Sequence, residues 1–239
     1  MRLKGVAVWV FLMLGVAQGQ SLNGVRDLIE MGELDSARVQ LQALLTRDAQ
    51  GAGRILLARV FYLQGNPNQA LAELKKVPAA QWSAEAFWVR GLSLADLGKN
   101  VEALVDLKAA GYLGNNYQYA MDWGTTAWRF GKLEVAKEAF VFAEALEPNQ
   151  PWPFLNMGMV LYSLKQHGEA LQHLQQGVEV LEKSGVALTH PAFPELYYWL
   201  GQTYEALNDR ASARSMYQQV LAIDPDYTAA ASALATLRK

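Results

Sequence analysis

The chain contains no cysteine in 239 residues. That absence excludes disulfides, a thiol-attached lipid anchor and any cysteine-based metal site. Histidine is scarce, with only His167, His173 and His190. The first two stand six apart, on different sides of a helix, and no cysteine supplies a further ligand. They read as solvated surface side chains, and no metal site is expected. No glycine-rich run precedes a Lys-Ser/Thr pair, so a phosphate-binding loop is missing. No Gly-x-Ser-x-Gly nucleophile motif occurs. Paired carboxylates such as Glu144 and Glu147 lie among ordinary polar residues. These absences predict a non-enzymatic protein without a cofactor. An excess of charge of one sign is also lacking, since the formal net charge is −2. Scattered, slightly acidic charge gives no footprint for nucleic acid.

Long apolar runs are lacking too, with one exception at the start. Arg2 and Lys4 precede an apolar stretch at residues 6–17, closed by Ala17-Gln18-Gly19. The run is shorter than the ~20 residues of a spanning helix. Residues 1–19 therefore read as a cleaved signal peptide. The alternative is a membrane anchor formed by the same segment left uncleaved. Removing the leader takes away two bases and no acid, moving the net charge from −2 to −4. An exported chain without disulfides is expected in the bacterial periplasm or secreted. No integral membrane segment is expected in it after cleavage.

What the chain has instead is a repeat, the feature to establish before any other fold statement. Ala37, Ala70, Ala103, Ala136, Ala170 and Ala213 are spaced by 33, 33, 33, 34 and 43. Five residues before each alanine stand Gly32, Gly65, Gly98, Gly131, Lys165 and Asn208. Four residues after it stand Leu41, Leu74, Leu107, Phe140, Leu174 and Tyr217. Twelve before it stand Val25, Ala58, Gly91, Gly124, Gly158 and Gly201. A residue with little or no side chain lets two helices approach closely. The Gly/Ala column then marks the crossing within a helical hairpin, and the alanine column the crossing with the next. A glycine at the turn supplies the left-handed conformation that ends a helix.

The units fall near 20–50, 51–83, 84–116, 117–150, 151–193 and 194–225, with a capping helix over 226–239. Ser21 reads as the cap of the first helix, and Asn66-Pro67 as a cap followed by proline at the first helical position. Pro225 suits the start of the last helix. The fifth unit is irregular. Its second helix begins near Gly168 and continues through Glu182, and a loop over 184–194 accounts for the 43-residue spacing.

The unit over 195–225 carries Tyr197, Leu200, Gly201, Tyr204, Ala213, Tyr217 and Pro225. In those places it resembles the tetratricopeptide repeat, a helix–turn–helix unit of about 34 residues. The resemblance covers nearly all of the chain after the leader. The tryptophan position of the repeat holds Phe87, Phe154 and Tyr197, and in the other units Ser21, Arg54 and Ala120. The resemblance implies an all-α fold, a right-handed α-solenoid of about six hairpins with a C-terminal capping helix. It also implies a concave channel lined by the first helix of each pair.

Channel positions in this resemblance lie three before, one after and four after the Gly/Ala column. In the second and third units they include Arg59 and Tyr62, then Trp88. In the fourth they are Met121, Thr125 and Trp128, with Arg129 beside them. In the fifth and sixth they include Met159 and Tyr162, with Trp152 alongside, then Tyr198 and Gln202. Aromatic and methionine side chains on an exposed concave surface mark a binding groove. Some members of the family hold a terminal carboxylate with lysine and asparagine. Here Trp88, Met121 and Leu155 replace the lysine, and Leu92, Thr125 and Met159 the asparagine. The expected partner is an extended apolar or aromatic peptide segment anchored by Trp88, Trp128 and Tyr162, with Arg59 and Arg129 orienting an acidic group. The function expected is a protein-interaction scaffold, in its specific form an assembly factor for an envelope machine. The alternatives are self-association through the aromatic face, and binding of a glycan or small molecule.

Overall fold

The structure, a computed structural model, describes residues 21–46 and 50–237. The leader read at residues 1–19 lies outside the described residues. Those described form thirteen α-helices and a short 3₁₀ turn, with no strand among them. The chain divides into two compact units, one up to Gly114 and one from Asn115.

The first unit holds α1 (Leu22–Glu30), α2 (Leu34–Leu45), α3 (Gln50–Leu63), α4 (Pro67–Leu74), the 3₁₀ turn (Ala79–Gln81), α5 (Ala84–Asp96) and α6 (Asn100–Gly114). These make three antiparallel hairpins. The second unit holds α7 (Tyr117–Arg129), α8 (Leu133–Leu146), α9 (Pro151–Ser163), α10 (His167–Ser184), α11 (Ala192–Ala206) and α12 (Arg210–Ile223), again three hairpins. The terminal α13 (Thr228–Leu237) follows, its Ala230, Leu234 and Leu237 packed on Tyr217 and Val220 of α12. The fold class is the all-α solenoid of helical hairpins.

Each hairpin turn is set by one left-handed residue. Gly32, Gly65, Gly98 and Gly131 have φ between 67° and 78°, and Lys165 and Asn208 adopt 63° and 65° in the same column. In all six turns the following amide closes back on the carbonyl five residues earlier. Glu33 N to Leu28 O at 2.8 Å and Gln166 N to Leu161 O at 2.9 Å are examples. That bond satisfies a carbonyl the helix end would otherwise leave open. At the helix starts, Ser21 Oγ accepts from Gly24 N at 3.1 Å, as its position predicts. Asn66 occupies the cap position of α4, yet its amide donates to Gln64 O and caps nothing. Pro225 lies in the turn before α13, which begins at Thr228, so it is not the first residue of that helix.

The small column and the large column interlock in the four hairpins where glycine fills the small column. A Cβ on Gly124 would come within 2.5 Å of the Phe140 ring, and one on Gly158 within 2.5 Å of Leu174. Gly91 faces Leu107 and Gly201 faces Tyr217 in the same way. The alanine column is fully buried in all six hairpins. In the third, Ala103 O lies 3.1 Å from where a Cβ of Gly91 would stand.

The irregular fifth hairpin has a simple cause. α10 runs through Ser184 and ends on Gly185 at φ 69°. Along it, Gly177 and Leu181 pack against Leu196 and Phe193 of α11. α11 begins at Ala192, inside the loop expected over 184–194, because Ala192 and Phe193 are drawn into that core.

Within each unit, neighbouring first helices (α1, α3 and α5; α7, α9 and α11) pack on one another. Neighbouring second helices do so far less. Each unit is therefore concave on its first-helix side and splayed on the other.

Candidate functional site

In the first unit the first-helix face is dominated by an ion network. Glu85 is buried, and Arg26 meets its two oxygens at 2.9 and 3.2 Å. Arg59 Nη1 reaches the same carboxylate at 3.3 Å and its Nη2 reaches Glu30 at 2.7 Å. The Arg59 guanidinium also lies 5.5 Å from the ring centre of Trp88. Arg59 is thus held by two carboxylates of its own chain, and is not the open cation that would orient an acidic ligand. Trp88 keeps 8% of its surface, so its ring belongs mainly to the packing between helices. Tyr62 is half-buried on the same helix as Arg59.

In the second unit Met121 likewise keeps only 8% and is core. Thr125 is exposed, and its hydroxyl donates back to Met121 O at 3.0 Å. Trp128 is half-buried, while Arg129 is exposed with its guanidinium 5.3 Å from the Phe130 ring centre. Trp152 and Met159 are half-buried against the cluster of Leu155, Phe193 and Leu200. The Trp152 ring stands 6.1 Å from that of His190, in the loop before α11.

The structure gathers Tyr162, Tyr198 and Gln202, and adds residues the spacing rule left out. Trp199 meets Tyr162 edge-on at 5.5 Å and Tyr198 at 6.0 Å. Tyr227, just before α13, lies 5.2 Å from Tyr198. Gln202 donates to the hydroxyl of Tyr217 at 2.7 Å, and that hydroxyl donates to Glu205 at 2.5 Å. Burial first, then the nearby Tyr162, Glu205 and Glu195, hold the Tyr198 phenol above its ordinary range. Trp199 and Glu195 were legible in principle. Both lie three or four residues from Tyr198, Gln202 or one another, so one helical face carries them all.

Elsewhere the picture differs from the sequence reading. His173 is half-buried, not a solvated surface residue. Burial lowers its pKa below 6.5, against an opposing pull from Glu144 and Glu169 and alongside Lys137. Its Nδ1 lies 3.9 Å from Glu144. Among the described residues no group of histidine and acidic side chains is arranged to hold a metal ion. None of the described helices is long and apolar enough to cross a membrane.

A cavity of about 480 Å³ opens in the first unit between the splayed second helices α4 and α6. Leu71, Trp82, Leu94, Val101 and Val105 line it. It lies away from the first-helix face. Arg90 crosses its wall, stacked 4.3 Å from the Trp82 ring centre and bound to both oxygens of the buried Asp106 at 2.5 and 2.6 Å. The cavity is the gap that splaying leaves between second helices, braced by that pair.

Comparison with known proteins agrees with this geometry. Family models described as tetratricopeptide repeat match residues 22–85 and 150–226. A curated relative, the Hsp70-Hsp90 organizing protein of Triticum aestivum, is 29% identical over 116 residues. The match covers 48% of this chain and 18% of that relative's length. Among solved structures, pilF of Pseudomonas aeruginosa superposes with a TM-score of 0.68 at 21% identity, over 90% of this chain and 95% of that one. YrrB, described as a TPR protein with an unusual peptide-binding site, superposes with a TM-score of 0.65 at 21% identity. That match covers 80% of this chain and 95% of YrrB.

Proposed function

The chain belongs to the tetratricopeptide repeat family, and from that premise we propose that it is a non-enzymatic scaffold that binds peptide segments of other proteins. The binding surface is the concave first-helix face of the second unit. One observation carries the reading. Trp128, Tyr162, Tyr198 and Trp199 stand on the first helices only half-buried, although buried positions in the same hairpins hold rings such as Trp123 and Phe140 completely. Large rings left partly open on a concave surface give much contact area for few frozen torsions. The basic start and short apolar run over residues 6–17 support export, and the absence of cysteine fits a bacterial periplasm or secretion. The specific form of the proposal is an assembly factor of the bacterial envelope. Mass spectrometry of the mature N-terminus checks export; an intact Met1 in the membrane fraction contradicts it.

The test of binding is selection against a displayed peptide library, with Trp128→Ala and Tyr162→Ala as comparators. Each replacement should weaken the selected peptides by roughly 2 kcal/mol. Unchanged affinity in folded variants would remove the groove from the account.

Self-association is a second reading, and one observation favours it. Val101, Val105, Tyr112 and Leu113 leave an exposed apolar surface on α6. Light scattering across a concentration series separates the two, because a monomer at every concentration excludes the second.

A further inference from the structure

We infer that the α11 face of the second unit receives a positively charged side chain, an arginine or lysine of the bound segment, over the rings of Tyr198 and Trp199 and between the flanking carboxylates of Glu195 and Glu205. The inference rests on the peptide-binding reading and names the chemistry of what is bound.

Glu195, Tyr198, Trp199, Gln202 and Glu205 recur at intervals of three or four along α11, so they share one face. All five are half-buried. Each carboxylate is oriented by a phenol. Tyr227 donates to Glu195 at 3.2 Å and Tyr217 donates to Glu205 at 2.5 Å. These neutral donors fix the carboxylates and leave their charge in place. Among the described residues no lysine or arginine pairs with either one. Several acids elsewhere are arranged differently. Glu30, Glu73, Glu85 and Asp106 each hold an arginine. Among the described residues, the two acids on α11 are oriented by hydrogen bonds and left without a cation.

The aromatic rings add to the same polarity. A ring face is the negative side of its quadrupole and attracts a cation lying over it. Tyr198 meets Trp199, Tyr217 and Tyr227 at 6.0, 6.0 and 5.2 Å, which holds its ring in place before anything binds. An acidic segment laid here would meet two carboxylates. A purely apolar one would strip water from them and offer nothing in return. A guanidinium or ammonium satisfies both features. The peptide is favoured over a small ammonium compound because Tyr162, in contact with Trp199 from α9, extends the surface for a neighbouring apolar side chain. The expected charge is opposite to that drawn from Arg59, which is already engaged by Glu30 and Glu85.

The test uses the full chain and short capped peptides with identical aromatic flanks and a central arginine, citrulline or glutamate. Citrulline keeps the shape of arginine without its charge. Titration is followed by tryptophan fluorescence and calorimetry. The arginine peptide should bind about tenfold or more tighter than the citrulline peptide. The glutamate peptide should be weakest, and added salt should narrow the gap. In Glu195→Gln/Glu205→Gln the preference for arginine over citrulline should collapse, and a preference kept in the folded variant overturns the role of these carboxylates. Equal affinity for arginine and citrulline in the unaltered protein overturns this inference and leaves the peptide-binding reading standing. No binding of any of the three overturns both. Tetramethylammonium binding as tightly as the arginine peptide overturns the assignment to a peptide. The arginine–citrulline comparison needs no variant, so misfolding of the double variant cannot hide the answer.

Discussion

Lys165 and Asn208 do the work that glycine does in the other four turns, at φ 63° and 65°. An L-residue in the left-handed region carries roughly 1–2 kcal/mol of steric cost, and glycine gives part of that back as chain entropy. Lys165→Gly should therefore raise stability by about 0.5–1 kcal/mol in urea unfolding. A loss would mean that the lysine side chain holds the turn in a way its backbone does not reveal. His173 gives a second expectation at this scale. Burial depresses its folded pKa below the 6.5 of the unfolded chain. The unfolded state then takes up the proton first, so this stabilising contribution is present above pH 6.5 and declines as pH falls through and below it. Unfolding midpoints measured across that window should drop toward acid, and His173→Leu should flatten the slope. An unchanged slope in the variant would assign the acid sensitivity elsewhere.

The hairpins were legible because a small, a large and a turn residue recur in fixed register, with Val25 of the first hairpin the exception in the small column. Gly124 against Phe140 illustrates why the spacing carries geometry. The glycine makes the room that the ring fills. Helix ends were read well where the side chain itself caps, as at Ser21, and less well at Asn66, whose amide turns back to Gln64. Pairings between helices were not legible. Arg59 meets Glu30 and Glu85, which lie 29 and 26 positions away, and no local spacing records such a partner. Trp88 and Met121 stand at groove offsets yet are buried, because helical spacing gives a direction and not the depth of the neighbouring helix. Trp199 falls outside the three channel offsets of its unit and occupies the next place around the same face.

Between α5 and α6 the bracing pair of Arg90 and Asp106 makes its own prediction. Asp106 is buried and accepts two charged hydrogen bonds, while Arg90 keeps part of its surface in water. Asp106→Asn should cost about 2 kcal/mol, less than a fully buried pair because water still screens the arginine. It should also loosen the stacking of Arg90 on Trp82, visible as a change in tryptophan emission. A variant as stable as the parent would show that the pair adds little beyond the packing around it.

For the molecule as a whole, the account rests on where a peptide lands. The chain offers two contrasting surfaces, the half-open aromatic face of the second unit and the apolar cavity between α4 and α6 of the first. Burial alone does not choose between them, since both expose tryptophan or valine to solvent. The aromatic face is preferred because its rings and carboxylates are held by hydrogen bonds and ring contacts in an open arrangement. The cavity, by contrast, follows from the splaying of second helices. The most direct measurement is amide chemical-shift mapping of the full chain during titration with a library-selected peptide. The account predicts shifts concentrated on α9, α11 and the residues before α13, including Tyr162, Tyr198, Trp199 and Tyr227. Shifts concentrated instead on Leu71, Trp82, Val101 and Val105, with α11 silent, would contradict it.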